Sequence, residues 1–192
     1  MNKQRNVWRI ALEVAGYQVA WWSCVLSVRA GAMWIGLAAT ATIFLIHMAY
    51  SPSRRAEIWS VPAAAGLGFA ADNVATWLGA LHFESTHHWV LPAPLWIAAM
   101  WLAFAMLIWP CFSWLAGRPL AAAFMGATSG PTAYGAGVAL NIVEMPDLIW
   151  SIAVLAVLWA IVVPLAIMLV VSAAANSTNS QVAAGTYARN MA

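Results

Sequence analysis

The stretch from Arg118 to Asn141, RPLAAAFMGATSGPTAYGAGVALN, decides how the rest of the chain folds. It is long enough and apolar enough to cross a lipid bilayer, yet Ser129-Gly130-Pro131 stands in its middle. Pro131 cannot donate a backbone hydrogen bond and clashes with the carbonyl group one turn earlier. In lipid, that carbonyl group needs a new partner. We therefore predict a helix that is broken near Ser129-Gly130-Pro131 and buried among other spans.

Small and hydroxyl-bearing residues in the same stretch indicate close helix packing. Gly126 and Gly130 form a GxxxG pair, which lets a second helix approach the backbone. The hydroxyl groups of Thr128, Ser129 and Thr132 lie close to the predicted break. A kinked packing helix without any chemistry is the simpler alternative, since Gly and Pro are frequent in membrane helices.

The composition is that of a membrane protein. Of the 192 residues, 64% are hydrophobic and 7% are charged, and the apolar runs fit membrane spans of about 20 residues each. Trp favours the membrane–water interface, and the chain has 13 of them. A net charge of +2 without a dense basic cluster argues against a nucleic-acid partner. Cys24 and Cys111 fall inside apolar runs, so we expect free thiols, and no motif indicates a cofactor.

Short polar segments divide the apolar sequence into six spans, which predicts an all-α, polytopic membrane bundle. A single helix from Ile10 to Tyr50 would be about 60 Å long, twice the hydrocarbon thickness, so the chain must turn at Ser27–Gly31. Residues 1–9 form a basic N-terminal segment, and residues 173–192 form a small polar tail that we expect to be disordered. The predicted spans are residues 10–28, 32–50, 58–81, 93–115, 119–141 and 148–172.

Basic residues assign the two sides of the membrane. Seven of the eight lie in the N-terminus, the second and fourth loops and the tail: Lys3, Arg5, Arg9, Arg54, Arg55, Arg118 and Arg189. By the positive-inside rule, both termini are then cytoplasmic. In a five-span alternative the broken stretch re-enters the membrane, and the tail lies outside. A signal peptide in place of the first span is disfavoured by Glu13.

Motifs in four parts of the chain follow one another in a characteristic order. They are Gln18-Val19-Ala20-Trp21-Trp22-Ser23-Cys24-Val25-Leu26, Gly66-Leu67-Gly68-Phe69-Ala70-Ala71-Asp72, Leu115-Ala116-Gly117-Arg118-Pro119, and Gly126-Ala127-Thr128-Ser129-Gly130-Pro131-Thr132-Ala133-Tyr134 with Gly137. Over about residues 10–170, the chain resembles domain of unknown function 2878, a family of small bacterial inner-membrane proteins. The resemblance implies topology and a location in the bacterial inner (cytoplasmic) membrane, and it implies no activity. It also implies an association with lipid-modifying enzymes, near which such proteins are often encoded.

Asp72 in the third span is the strongest candidate for a functional residue. A carboxylate inside a span costs on the order of 3 kcal/mol on insertion scales and usually faces a partner or a wet cavity. Asp72 and Tyr134 lie about 14 and about 15 residues into spans that run in the same direction, so they reach similar depths. Trp21, Trp22 and Cys24 in the first span reach a comparable level. We predict a polar pocket, with Asp72, Asn73, Ser129 and Tyr134, that binds a proton or a ligand. The alternative is that Asp72 only fixes helix packing.

Two further groups of polar residues have alternative interpretations. Arg118 is suited to contact a lipid phosphate group or an anionic ligand, and more simply it anchors the topology. His82, Glu84, His87 and His88 form H-x-E-x-x-H-H, with side chains that suit zinc or copper. No template makes these four residues converge, so we favour a solvated loop and predict no metal site.

These observations favour a non-catalytic inner-membrane protein that binds or moves a small apolar or lipid-like ligand, with membrane lipids as its partners. One alternative is a membrane enzyme that acts on lipids, with Asp72 as acid or base and Arg118 holding the headgroup. Another is a scaffold that docks a lipid-modifying enzyme through Trp-rich surfaces, such as that around Trp101. Assembly as a homo-oligomer is compatible with each, because transporters of this size act as dimers.

Overall fold

The structure is a computed structural model that describes residues 3–83 and 91–190, with side-chain surroundings for residues 7–83 and 91–177. The described chain is helical, which confirms the predicted all-α class. Tight turns at Gly31 and Gly117, both with positive φ, reverse the chain between consecutive helices. The helices are α1 Lys3–Arg29, α2 Met33–Tyr50, α3 Arg54–Trp77, α4 Leu95–Leu107, α5 Pro119–Ala139 and α6 Leu148–Asn190.

The end of α4 is irregular. A π-helical segment, Ile108–Phe112, and a 3-10 turn, Ser113–Leu115, continue α4 toward Gly117. Pro110 lies within the π-helical segment and has no N–H to donate to a regular helical ladder. The continuous helical stretch from residue 95 to residue 115 nearly coincides with the predicted fourth span.

Three of the described helical segments are long and apolar enough to cross a membrane, which indicates a membrane protein. These segments are Met33–Tyr50, Leu95–Leu115 and Leu148–Ser177, on α2, α4 and α6. The remaining helices, α1, α3 and α5, have 27, 24 and 21 residues, so they are long enough but less apolar. The reason is that α1 and α3 carry buried or half-buried acids, and α5 is rich in Gly, Ala, Ser and Thr.

The helices pack in two groups that share α3. The first group has α4 at its centre, in contact with α1, α2 and α3. In the second group α6 packs against α3 and α5. The buried face of α3 is made largely of small residues, which lets α4 and α6 approach its backbone. They include Ala64, Ala65, Gly68, Ala71 and Ala75.

The predicted break near Ser129-Gly130-Pro131 is wrong, because α5 runs as one helix from Pro119 to Ala139. Hydroxyl groups on both sides of Pro131 donate to carbonyl groups of the preceding turn. Thr132 Oγ1 donates to Thr128 O at 2.7 Å, and Thr128 Oγ1 donates to Phe124 O at 3.0 Å. These side-chain bonds supplement the backbone ladder around the missing N–H, as Ser and Thr commonly do in membrane helices.

The predicted tail also differs from the structure. Helix α6 continues to Asn190, well beyond residue 172, where we predicted that the last span ends and disorder begins. Ala173 and Ala174 are buried against the bundle. The following residues include several Ala, the strongest helix former, and no proline that would stop the helix.

The loops that follow α3 and α5 are joined to each other. His82 N donates to Glu144 O at 3.0 Å, and Glu144 N donates to His82 O at 2.8 Å. Asp147 caps α6, because its Oδ1 accepts a hydrogen bond from Trp150 N at 3.0 Å. The turn that contains Glu144 and Asp147 is therefore exposed but ordered, and Asp147 fixes the start of α6.

Candidate functional site

The candidate site is a cavity of about 150 Å³ that lies between α1, α3, α4, α5 and α6. Most of its wall is apolar or aromatic, with Trp21 from α1 among the lining residues. Its polar side chains include Asp72 of α3 and Ser129 and Tyr134 of α5. The structure thus brings together three of the four residues that we expected to line one pocket.

Asp72 is the polar centre of this cavity and is only 1% exposed. Trp101 Nε1 donates to its Oδ2 at 2.6 Å, and Trp159 Nε1 donates to its Oδ1 at 3.2 Å. The Tyr134 hydroxyl also hydrogen-bonds the carboxyl group. An indole N–H can only donate and a carboxylate only accepts, so these partners offset the cost of burying the acid.

Glycines on α3 and α5 leave room for the two indole rings to pack against the helix backbones. Gly68 lies one turn before Asp72, and a Cβ atom there would overlap the ring of Trp101. On α5, a Cβ atom at Gly130 would lie 2.5 Å from Trp159 Cγ, and one at Gly126 would overlap the Trp159 carbonyl oxygen. The GxxxG pair therefore makes the close helix contact that its sequence indicated, and its partner is α6.

Aromatic contacts hold the cavity wall together. The rings of Trp101 and Trp159 have centroids 4.6 Å apart, and Tyr134 meets Trp159 edge-on at 6.4 Å. Phe83 contacts Tyr134 and Trp96 in the same edge-to-face manner. Such pairs favour fixed ring orientations, so the donors around Asp72 are held in fixed positions.

The lining residues of α1 and α5 reach the surface of the bundle, which places an opening of the cavity at these two helices. At this opening Tyr17, Trp21 and Ser129 are half-buried, and Ala133 is exposed. The loop after α5 covers another side of the cavity with Ile142 and Val143, both buried. Access is therefore from the outer surface of the helix bundle.

Asn73 and Arg118 do not line the cavity. Asn73 Nδ2 donates to Phe69 O at 2.7 Å, and its Oδ1 accepts from Ala93 N at 3.0 Å, so it orders the chain before α4. Arg118 precedes the first residue of α5 and lies over the ring of Trp114, 5.9 Å from the centroid. It is separated from Tyr134 by 16 residues, or about 24 Å of helix, so Arg118 and Asp72 do not share a site.

The histidine-rich loop is described only in part. His82 is exposed, whereas Glu84, His87 and His88 lie outside the described residues. Within residues 3–83 and 91–190, no three His, Cys, Asp or Glu side chains are arranged to hold a metal ion. Cys24 and Cys111 are free thiols, and Cys24 Sγ lies 3.6 Å from Thr40 Oγ1.

A second polar cluster was missed by the sequence analysis. His47 lies between two carboxylates, with Nδ1 2.8 Å from Glu13 Oε2 and Nε2 2.8 Å from Glu57 Oε2. Glu57, predicted in a loop, lies in the first turn of α3 and is fully buried. The available signal was that Glu13 lies near the start of the first predicted span, His47 near the end of the second and Glu57 just before the third, and these ends meet on one side of a helical bundle.

Comparison with known proteins supplies a family and no activity. Residues 10–165 match the model of a family described as a protein of unknown function, DUF2878. No curated protein and no solved structure matches the chain.

Proposed function

The chain belongs to the DUF2878 family of proteins of unknown function, and from its cavity we propose that it binds a small apolar or lipid-like ligand beside Asp72. The observation that carries the proposal is an apolar, aromatic cavity with one buried acid that opens on the outer surface of the bundle. Ligand pockets of this type bind by apolar contact, and a few polar groups fix the orientation of the ligand.

We further propose that all six helices cross the bacterial inner membrane, with both termini in the cytoplasm. Support comes from the less apolar helices, which also present large apolar side chains outward. Leu12 of α1 is 71% exposed, and Phe124 of α5 is 72% exposed. Extensive apolar surface of this kind is expected where a protein meets lipid, and the distribution of basic residues favours cytoplasmic termini.

The chemistry of Asp72 limits the class of ligand. A carboxylate has about four acceptor positions, and Trp101, Trp159 and Tyr134 occupy three of them. One position remains for a donor, so an apolar molecule with a single hydroxyl or amine group fits best. An engineered apolar cavity of about 150 Å³ holds a molecule the size of benzene, so this cavity would accept a small ligand or the end of one hydrocarbon chain.

The test is native mass spectrometry of the purified chain with its co-purifying lipids, for wild type, Ala133→Trp and Ala136→Trp. Ala133 lies at the opening, whereas Ala136 is exposed on the same helix outside the cavity. We expect wild type and Ala136→Trp to retain a small molecule or a specific lipid, and Ala133→Trp to lose it.

The proposal is contradicted if Ala133→Trp retains the same molecule as Ala136→Trp. It is also contradicted if wild type carries no ligand and fails to bind any member of a series of long-chain alcohols added to the detergent.

The two alternatives lack comparable support. An enzyme that uses Asp72 and Arg118 together requires them in one site, and about 24 Å of helix separates Arg118 from the cavity. A docking surface around Trp101 requires that side chain to be accessible. Trp101 of α4 is instead buried against α3 and α6.

A further inference from the structure

Three ionisable side chains meet far from the Asp72 cavity, where α2 ends and α3 begins. They are Glu13 of α1, His47 of α2 and Glu57 of α3. Glu57 and Asp72 share the buried face of α3, and the 15 residues between them correspond to about 22 Å of helix. The cluster is therefore a separate site.

Both nitrogens of the His47 ring face carboxylate oxygens. Nδ1 lies 2.9 Å from Glu13 Oε1 and 2.8 Å from Glu13 Oε2, and Nε2 lies 2.8 Å from Glu57 Oε2. A neutral imidazole has one N–H, and an ionised carboxylate can only accept. Two bonds of this kind therefore need one proton more than a neutral histidine and two ionised glutamates possess.

The charged neighbours of the cluster are consistent with this extra proton. Arg9 Nε lies 3.9 Å from Glu13 Oε1, and the thiol of Cys111 in the π-helical segment is a further titratable group near Glu13. With His47 as imidazolium, two positive charges balance the two carboxylates. That balance is what burial of ionised side chains requires, because an uncompensated charge in an apolar interior is costly.

Burial differs along the cluster. The side chains of His47 and Glu57 are 2% and 1% exposed, whereas that of Glu13 is 14% exposed. Ser51 Oγ donates to Glu57 Oε2 at 2.5 Å, which leaves Glu57 Oε1 buried without a hydrogen-bond partner among the described residues. Ser60 Oγ, one turn further along α3, is also buried and unpartnered within the described chain.

From this geometry we propose that Glu13, His47 and Glu57 form a proton-binding site, which holds one exchangeable proton and is reached through Glu13. Binding converts neutral imidazole and two carboxylates into an imidazolium bridged by the same two carboxylates. An N–H bond forms on the ring as an O–H bond of a hydronium ion breaks, which leaves a water molecule. Glu57 keeps a spare, buried acceptor at Oε1.

The test is nitrogen NMR of the full chain, labelled at histidine, in lipid nanodiscs at pH 8. His47→Gln identifies the His47 signals by their loss, and His82, which is exposed, gives the reference for an imidazole in contact with solvent. We expect protons on both ring nitrogens of His47 in wild type at a pH where free imidazole, with a pKa of about 6.5, is neutral. We expect loss of the second N–H in Glu57→Gln.

Infrared spectroscopy of the same sample covers the case in which the proton sits on a carboxyl group. The proposal is overturned if wild-type His47 carries a single proton and no protonated carboxyl band is removed by Glu13→Gln or Glu57→Gln. The number of protons on His47 and the presence of a protonated carboxyl band are both measured on wild type. The proposal can therefore be contradicted even if a variant fails to fold.

Discussion

Asp72 accepts hydrogen bonds on both carboxylate oxygens, from Trp101 and Trp159. An amide in its place offers one oxygen and one NH₂ group, so Asp72→Asn sets a buried donor against an indole N–H. We expect a loss of about 1–3 kcal/mol in the free energy of unfolding, the cost of an unsatisfied buried group. Chemical unfolding in detergent micelles, followed by circular dichroism, measures it.

Asp147→Asn is the matched control for this substitution. Asp147 is exposed and caps α6, and Asn is as good a cap as Asp. Equal stability of the two variants would show that the indole bonds to Asp72 contribute little. A loss confined to Asp72→Asn supports the observed pairing.

At the level of single residues, the position of a residue along its span was predictable from the sequence, whereas most of its hydrogen-bond partners were not. Counting along parallel spans brought Asp72 and Tyr134 together, and the structure joins them. The indole donors were not predicted, because nothing in a sequence with 13 Trp distinguishes those that turn inward from those at an interface. The cluster around His47 was missed because its partners, Glu13 and Glu57, lie on other helices, and a single histidine in an apolar run does not indicate them.

Helix α5 contains a glycine in close contact with another helix, Gly126, and a glycine that faces open space, Gly135, so the two can be compared directly. At Gly126 a Cβ atom would overlap the backbone carbonyl of Trp159, which cannot rotate away, whereas at Gly135 it would meet open space. We expect Gly126→Ala to destabilise the fold by about 1–3 kcal/mol through overpacking. Gly135→Ala should be neutral or stabilising, by up to about 1 kcal/mol.

Unfolding in detergent measures the stability of both glycine variants. Similar stability of the two variants would argue against the close contact between α5 and α6.

At the level of helices, the GxxxG motif in α5 correctly predicted close packing, whereas Pro131 wrongly predicted a break in the helix. Gly126 and Gly130 predicted a near neighbour from their spacing alone. Pro131 did not break α5, because hydroxyl groups of adjacent turns and the packed surroundings tolerate one missing N–H. By contrast, Pro110 lies in a π-helical segment that the sequence did not indicate. The effect of a proline depends on what surrounds it, and sequence spacing does not record that.

The proposed arrangement of the whole molecule can be tested with single cysteines in a chain with Cys24 and Cys111 replaced by Ala. Ala30→Cys and Pro146→Cys lie in loops that six spans place outside, and Pro52→Cys and Ala116→Cys lie in cytoplasmic loops. All four positions are exposed. We expect a membrane-impermeant thiol reagent to label the first pair in intact cells and the second pair only after permeabilisation.

The five-span alternative gives a different labelling pattern. If the stretch containing α5 re-entered the membrane without crossing it, Ala116→Cys and Pro146→Cys would lie on the same side. Protection of Pro146→Cys in intact cells would therefore contradict six spans.

For the whole molecule, the sequence predicted the number of helices and their approximate positions. Among the described residues, length and composition qualify α2, α4 and α6 as spans, and Glu13, Glu57 and Asp72 lower the apolar character of α1 and α3. Those same acids belong to the proposed functional sites, so in α1 and α3 the weak membrane signal and the candidate chemistry have one cause. The end of α6 was not predicted, since a small, polar composition does not distinguish an extended helix from a disordered tail.

The partners of Asp72 also have a consequence for biosynthesis. Trp101 belongs to α4, but Trp159 belongs to α6, which leaves the ribosome after α4 and α5, and α6 is also the main packing partner of α5. A nascent chain that has completed α5 therefore holds an undocked helix and an acid that still lacks one of its donors. Chains in that state expose surface that the folded protein buries, and cellular proteases remove incompletely folded chains. A chain truncated before α6 should be cleared rather than accumulate as a partly working protein.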